Sequence, residues 1–200
     1  MALHRLLGFR AAVPDPAAVA AFYGELGLVD DGVRGWTGTE GGGAVRLDEG
    51  QLRRPLSVEI GCDTEDDVAA IASRLIEGGA DPRHHVSDGE VRVHDPASHV
   101  ELVVQVADRH RPAERAEPPE PNAPGRAVRL DARAPSVFGH ARPPRRLGHV
   151  VIGTPDIAAT RDLLVDGLGL KVSDELPGII AFLRCSPDHH NVALLSLIHI

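Results

Sequence analysis

Leu147-Gly148-His149-Val150-Val151-Ile152-Gly153-Thr154-Pro155-Asp156 is the stretch that decides how this chain is read. It is an apolar strand ending at Asp156, a residue suited to cap a helix. A helix-like stretch follows to Gly169, then Phe182-Leu183-Arg184-Cys185, then His189-His190-Asn191-Val192-Ala193-Leu194. One histidine stands in the first apolar strand and a second opens another. The same pattern occurs near the N-terminus, as Leu7-Gly8-Phe9-Arg10-Ala11-Ala12-Val13-Pro14-Asp15, one residue shorter. Both copies lead into a helix that ends in Leu-Gly-Leu, at Leu26-Gly27-Leu28 and at Leu168-Gly169-Leu170, where glycine suits a C-terminal cap. The first helix carries Val19, Phe22, Tyr23 and Leu26 at helical spacing; the second carries Ile157, Thr160, Leu164 and Leu168.

A third copy lies between them. Leu56 to Asp63 reads as a strand, Thr64 as a cap, and Glu65 to Gly78 as a helix with Val68, Ile71, Ala72, Leu75 and Ile76 on one face. A hairpin follows, Glu90 to His94, the turn Asp95-Pro96-Ala97-Ser98, and His99 to Val104. Each unit therefore runs strand, helix, then two or three strands, and a repeat of this kind is an architectural signal. Residues 108–146 differ: they hold Pro112, Pro118, Pro119, Pro121, Pro124, Pro135, Pro143 and Pro144 and few large apolar residues. Such a stretch cannot bury enough apolar area to offset its ordering entropy, so it reads as a linker, with Val128-Arg129-Leu130 a candidate short strand. The expected organisation is a two-module unit over 1–107, a Pro-rich linker over 108–146, and a further module over 147–200. The expected fold class is α+β.

Composition narrows the classes. A net charge of −8 argues against non-specific nucleic-acid binding. No apolar run has membrane-spanning length, nothing resembles a signal peptide, and Cys62 and Cys185 form no disulfide framework, so a reducing cytoplasm is the expected compartment. One Trp, one Tyr and four Phe leave the cores to Leu, Val, Ile and Ala.

The repeated unit, the Leu-Gly-His opening and the hairpin Asp95-Pro96-Ala97-Ser98-His99-Val100-Glu101-Leu102 resemble the vicinal oxygen chelate superfamily, which includes glyoxalase I, bleomycin-resistance proteins and type I extradiol dioxygenases. The resemblance covers nearly everything outside the linker. It implies βαβββ modules paired into a cup around a metal, with ligands from first and last strands. The layout is most similar to extradiol ring-cleaving dioxygenases, whose N-terminal domain has lost its metal site. Here Gly8 or Phe9, Gly43 and Ser57 fall at ligand positions, and Glu101 alone remains of a possible set. In the C-terminal part the resemblance assigns two metal ligands, His149 and His190, for Fe(II) or Mn(II), with His189 excluded because neighbours on a strand face opposite sides. Two imidazoles and one carboxylate on one face of the ion leave positions for a catechol-type substrate and O2. The third ligand, a strand Glu of a fourth module, and most acid–base residues are expected beyond Ile200. The chain is accordingly expected to be an inactive fragment that can self-associate through an uncovered apolar face. Leu195-Ser196-Leu197-Ile198-His199-Ile200 back-translates to CTG TCT CTT ATA CAC ATC, the mosaic end of a transposase used in library preparation, so native sequence is expected to end near Leu194.

Two other readings stand beside this one. A glyoxalase-like lyase or isomerase shares the architecture, although Glu at position 190 would suit it better than His. A non-catalytic small-molecule binder would not need His149 and His190. The remaining candidates take plainer roles. His84-His85 read as a solvated loop, His94 and His99 as structural residues beside a turn, and Asp188 as a turn residue. Gly41-Gly42-Gly43 reads as a hairpin turn, since no helix follows it to bind phosphate, and Asp63, Glu65 and Asp66 as charges complementing a helix dipole.

Overall fold

The computed structural model describes residues 3–32, 35–41, 43–85, 89–111, 124–126 and 143–199. The first repeat runs β1 (Leu3–Val13), α1 (Pro16–Glu25), β2 (Val29–Asp30), β3 (Trp36–Thr37) and β4 (Ala44–Glu49). The second runs β5 (Arg54–Cys62), α2 (Glu65–Glu77), β6 (Arg83–His85), β7 (Glu90–His94) and β8 (Glu101–Val106). Together they form an eight-stranded sheet in the order β2-β3-β4-β1-β5-β8-β7-β6. Its two halves meet where β1 and β5 pair antiparallel, and within each half the first strand lies parallel to the last, β1 with β4 and β5 with β8. The Phe9 strand and the Leu56 strand are thus neighbours in one pseudo-symmetric sheet, as the repeat implies.

The third repeat has all its parts: β9 (Val150–Thr154), α3 (Ile157–Asp162), β10 (Lys171–Leu176), β11 (Ile180–Arg184) and β12 (Val192–Ser196). They form a four-stranded sheet, β10-β11-β12-β9, with β9 parallel to β12. Leu195 and Ser196 continue β12 opposite Gly153 and Thr154. A π turn, Leu163–Leu168, extends α3. The candidate strand Val128-Arg129-Leu130 and most of the Pro-rich stretch lie outside the described residues. No helix among the described residues is long and apolar enough to cross a membrane.

The caps form where the sequence places them. Asp15 accepts from the Ala18 N–H at 2.8 Å and Asp156 from the Ala159 N–H at 3.0 Å. Thr64 and Asp67 make a reciprocal capping box, and Glu65, Asp66 and Asp67 occupy the positive end of the α2 dipole. Four of the five apolar residues of α2 pack as expected, with Val68, Ile71, Ala72 and Leu75 in one buried cluster with Val58, Ile60, Leu102 and Val104, while Ile76 is 63% exposed. Helix α1 does not pack in this way: Phe22 is 57% and Leu26 48% exposed, although the helical spacing of Val19, Phe22, Tyr23 and Leu26 implies a buried face. Two causes are visible. Ala17, Ala18, Ala20 and Ala21 make the other faces of α1 nearly as apolar as its Val19–Leu26 stripe, so patterning selects no side. In addition α1 lies over β4, β1 and β2, at the narrow end of the sheet where β2 and β3 are two residues each.

The two sheets share one core. Leu75 of α2 enters the space left by Gly167, where a Cβ would sit 2.7 Å from Leu75 Cδ2. Arg74 caps the end of the π turn, donating to the carbonyls of Gly167 (3.3 Å) and Leu168 (3.1 Å). Behind this contact, buried Asp95 accepts from Thr160 Oγ1 at 2.8 Å, and Thr160 meets Thr154 Oγ1 at 2.9 Å. On the other side, Thr39 N–H and Glu40 N–H donate to the carbonyls of Pro144 (3.0 Å) and Arg145 (2.8 Å), fixing the path that leads to His149. Gly38 permits this approach, since a Cβ there would lie 2.4 Å from Arg145 backbone atoms.

Candidate metal centre

Parallel pairing of β9 with β12 sets Val150 opposite Val192, and this brings the two strand beginnings together. His149 immediately precedes β9 and His190 stands two residues before β12, so both lie at strand mouths rather than within strands. Val150, Ile152 and Thr154 are buried toward the helix, while Val151 is exposed on the other face. On β11, Ala181 and Leu183 are buried and Phe182 turns to the same open face as Val151. There the His149 and His190 ring centres lie 4.5 Å apart, and Phe182 lies 4.8 Å from His190.

That spacing bears on whether a metal fits. A metal–imidazole bond is about 2.1 Å and the ring centre lies about 1 Å further on, so two imidazoles at right angles on one ion have centres about 4.5 Å apart. Imidazole donors suit Fe(II) and Mn(II) among other first-row ions. His190 is held below the ordinary histidine range, first by burial and then by the neighbouring His149 and His189, while Asp188 opposes the shift. This favours the neutral ring that binds metal. Among the described residues, no group of three His, Cys, Asp or Glu side chains converges as a complete ligand set. The two residues fit part of a metal site, and a carboxylate to complete it is not among the described residues.

His189 does not point away from the pair. Its Nδ1 is 3.0 Å from His190 Nδ1, and its ring centre lies 5.6 Å from Phe182. Strand alternation does not separate the two because both precede β12. One hydrogen bond joins the two Nδ1 atoms, and Nε2 of His190 takes no part in it. Asp188 is more than a turn residue: it accepts both guanidinium nitrogens of Arg146 at 2.8 Å. The adjoining Asn191 is buried and ties the β11–β12 turn together through its side-chain oxygen. No local spacing announces Arg146, Asp188 or Asn191. The polar run Ser186 to Asn191 between two apolar strands was the available signal.

The N-terminal sheet carries ion pairs that are partly open to solvent. Glu101 is engaged by Arg92 at 3.0 Å and by Arg83, and Ser57 stands opposite it on β5. Glu59 pairs with Arg46, and a Cβ at Gly8 would lie 2.9 Å from Glu59 Oε2. Arg10 pairs with Asp48. Of the positions that the resemblance assigns to ligands, Glu101 is thus taken up by ion pairs. Phe9 and Gly43 bring no donor. His94 and His99 face each other across the β7–β8 turn at 6.0 Å. His84 and His85 belong to strand β6 rather than to the loop expected there, and Gly42 of the Gly41–Gly43 run lies outside the described residues. Cys62 and Cys185 are free and buried.

No protein-family model matches the chain. In sequence, the chain is 31% identical over 159 residues to Metapyrocatechase 2 of Cupriavidus necator, which covers 76% of this chain and 47% of the relative. The chain therefore spans about half the length of that curated relative. In structure, it is similar to the Mn(II)-bound glyoxalase from Novosphingobium aromaticivorans, with a TM-score of 0.65 at 23% identity over 98% of this chain and 62% of the other. It is similar also to an extradiol ring-cleaving dioxygenase from B. fuscum, with a TM-score of 0.68 at 21% identity, covering 98% of this chain and 54% of that one.

Proposed function

We propose that this chain, which has the vicinal oxygen chelate fold, supplies the two imidazole ligands of an extradiol-type, Fe(II)- or Mn(II)-dependent ring-cleaving dioxygenase. The observation that carries the reading is the 4.5 Å approach of the His149 and His190 rings on the open face of the second sheet. The sequence relationship to a metapyrocatechase supports the same class.

On this reading His149 and His190 hold the metal, whose part when bound is to bring a catechol-type substrate and O2 together. Neutral imidazoles leave a divalent ion with most of its charge, so an anionic catecholate is favoured. Phe182 supplies an apolar wall beside His190, limiting water at the ring and offering a face to an aromatic substrate. His189, hydrogen-bonded to His190, fixes the orientation of that ring, since the second nitrogen of a metal-bound imidazole is commonly held this way. The carboxylate ligand comes from outside the described residues, where β9 presents the edge that in the first sheet joins β1 to β5. The eight-stranded sheet, with its ion-paired Glu101, acts as a metal-free scaffold.

The 200-residue chain by itself is then a metal binder without ring-cleaving activity, and the cytoplasm is its proposed compartment. The test is anaerobic loading with Fe(II), then addition of catechol and air, following the yellow ring-opened product. No product is expected from the chain alone. A polypeptide that also carries a carboxylate-bearing partner module should form it and lose it on His149→Ala or His190→Ala. Product formed equally well by both alanine variants would overturn the assignment. The likeness to an Mn(II)-bound glyoxalase keeps a glyoxalase-like reading in view; turnover of a hemithioacetal in place of catechol by the same assembly would favour it.

A further inference from the structure

We propose that Asn191 and the Arg146–Asp188 ion pair are positioning residues that set the separation of the two imidazoles. The inference rests on the reading that His149 and His190 hold a metal. It comes from the ion pair and the hydrogen bonds that tie together the two segments bearing them.

Arg146 lies three residues before His149, and Asp188 lies two residues before His190. Their bidentate contact, at 2.8 Å for both nitrogens, closes the gap between the two strand mouths from the outside. Fork-to-carboxylate pairing constrains distance and angle together, which a single contact does not. Asp188 is itself held to the turn, because its N–H donates to Ser186 Oγ at 3.2 Å.

Asn191 closes the gap from within. It is 2% exposed. Its Oδ1 accepts from Cys185 N–H (2.9 Å), Ser186 N–H (3.1 Å) and Ser186 Oγ (3.0 Å), which shapes the turn that presents His190. Its Nδ2 reaches the carbonyl of Gly148 at 3.5 Å, and its own carbonyl accepts from Val150 N–H at 3.0 Å. Gly148 and Val150 are the two neighbours of His149. A single buried residue next to one imidazole therefore grips the backbone on both sides of the other. Only a side chain with an acceptor and a donor fills both roles, and an amide has both.

Both histidines stand just outside the strands that follow them, so strand pairing alone does not fix their rings. Without the clamp, metal binding would have to order both strand mouths at once, and the entropy of ordering would be subtracted from the affinity.

The experiment is a Co(II) titration of the 200-residue chain by calorimetry, with each variant's melting curve taken alongside. His149→Ala and His190→Ala should each remove the site. Asn191→Ala and Arg146→Ala should weaken Co(II) binding on the order of tenfold while the protein stays folded, in the range usual for outer-shell partners. Exchanging the charges, Arg146→Asp with Asp188→Arg, should recover part of the loss. Arg10→Ala, which breaks a comparable ion pair with Asp48 in the first sheet, should change nothing at the site. Should Asn191→Ala fail to fold, Arg146→Ala carries the test, because a partly exposed ion pair contributes little to stability. Undiminished Co(II) affinity in Arg146→Ala, with the histidine variants inactive in binding, would overturn the clamp and leave the metal pair standing. Histidine variants that bind Co(II) as the parent does would instead remove the metal pair itself.

Discussion

His190 is surrounded by influences that oppose its protonation, burial first, then His149 and His189, against a single opposing carboxylate, Asp188. The folded state therefore binds fewer protons than the unfolded chain at pH values between the lowered value and the ordinary histidine value of about 6.5. Stability from this residue is present above that window and is lost as pH falls through it. An NMR titration of the imidazole Cε1–H should show His190 protonating at lower pH than a free histidine. Protonation at or above the free value would contradict the description of its surroundings. Burial also pushes the thiols of Cys62 and Cys185 up, to about 11 and about 12. Neither should react with a thiol reagent at neutral pH until the chain is unfolded; rapid labelling of native protein would show that one of them is not enclosed. At this scale the sequence pattern singles out His149 and His190, whose rings lie 4.5 Å apart, but not the residues that support them. Arg146 and Asp188 are 42 positions apart, and only the parallel pairing of β9 with β12 brings them together.

The helices divide by how clearly their faces are marked. In α2, acidic residues on the outer face and Val68, Ile71 and Leu75 on the inner one leave a single way to pack, and it was legible. In α1 alanines blur the faces, and the exposure of Phe22 and Leu26 was not. The caps Asp15, Thr64 and Asp156 were legible because capping is a local hydrogen bond. The π turn after α3 was not, because it answers the fit of Gly167 against Leu75, a contact between distant repeats. The buried link Thr154–Thr160–Asp95 joins the third repeat to the second. Thr160→Val keeps the shape and leaves Asp95 short of a donor, at a cost of about 1–3 kcal/mol. Denaturant unfolding measures this; a loss near zero would mean that water replaces the hydroxyl.

For the whole molecule, the consequence is one core under two sheets. Leu75 from the second repeat and Leu164 and Leu168 from the third belong to the same buried cluster. Leu75→Ala should cost about 2–5 kcal/mol and lower the unfolding of both sheets together. Two separated transitions, only one of them shifted, would contradict a shared core. The repeats and their order were legible at this scale because each βαβββ unit writes its own caps and strands. The docking of one unit on another was not, since it depends on surfaces that no periodicity records.

The central claim is that His149 and His190 together receive a divalent metal, and substoichiometric Mn(II) added to the chain with histidine side chains isotopically labelled tests it most directly. Paramagnetic broadening falls steeply with distance from the ion. The account predicts that the His149 and His190 imidazole signals broaden first and together, with His189 next, while His94 and His99 at the β7–β8 turn keep their linewidths. Broadening that starts at His94 and His99, or that reaches all histidines equally, would contradict it.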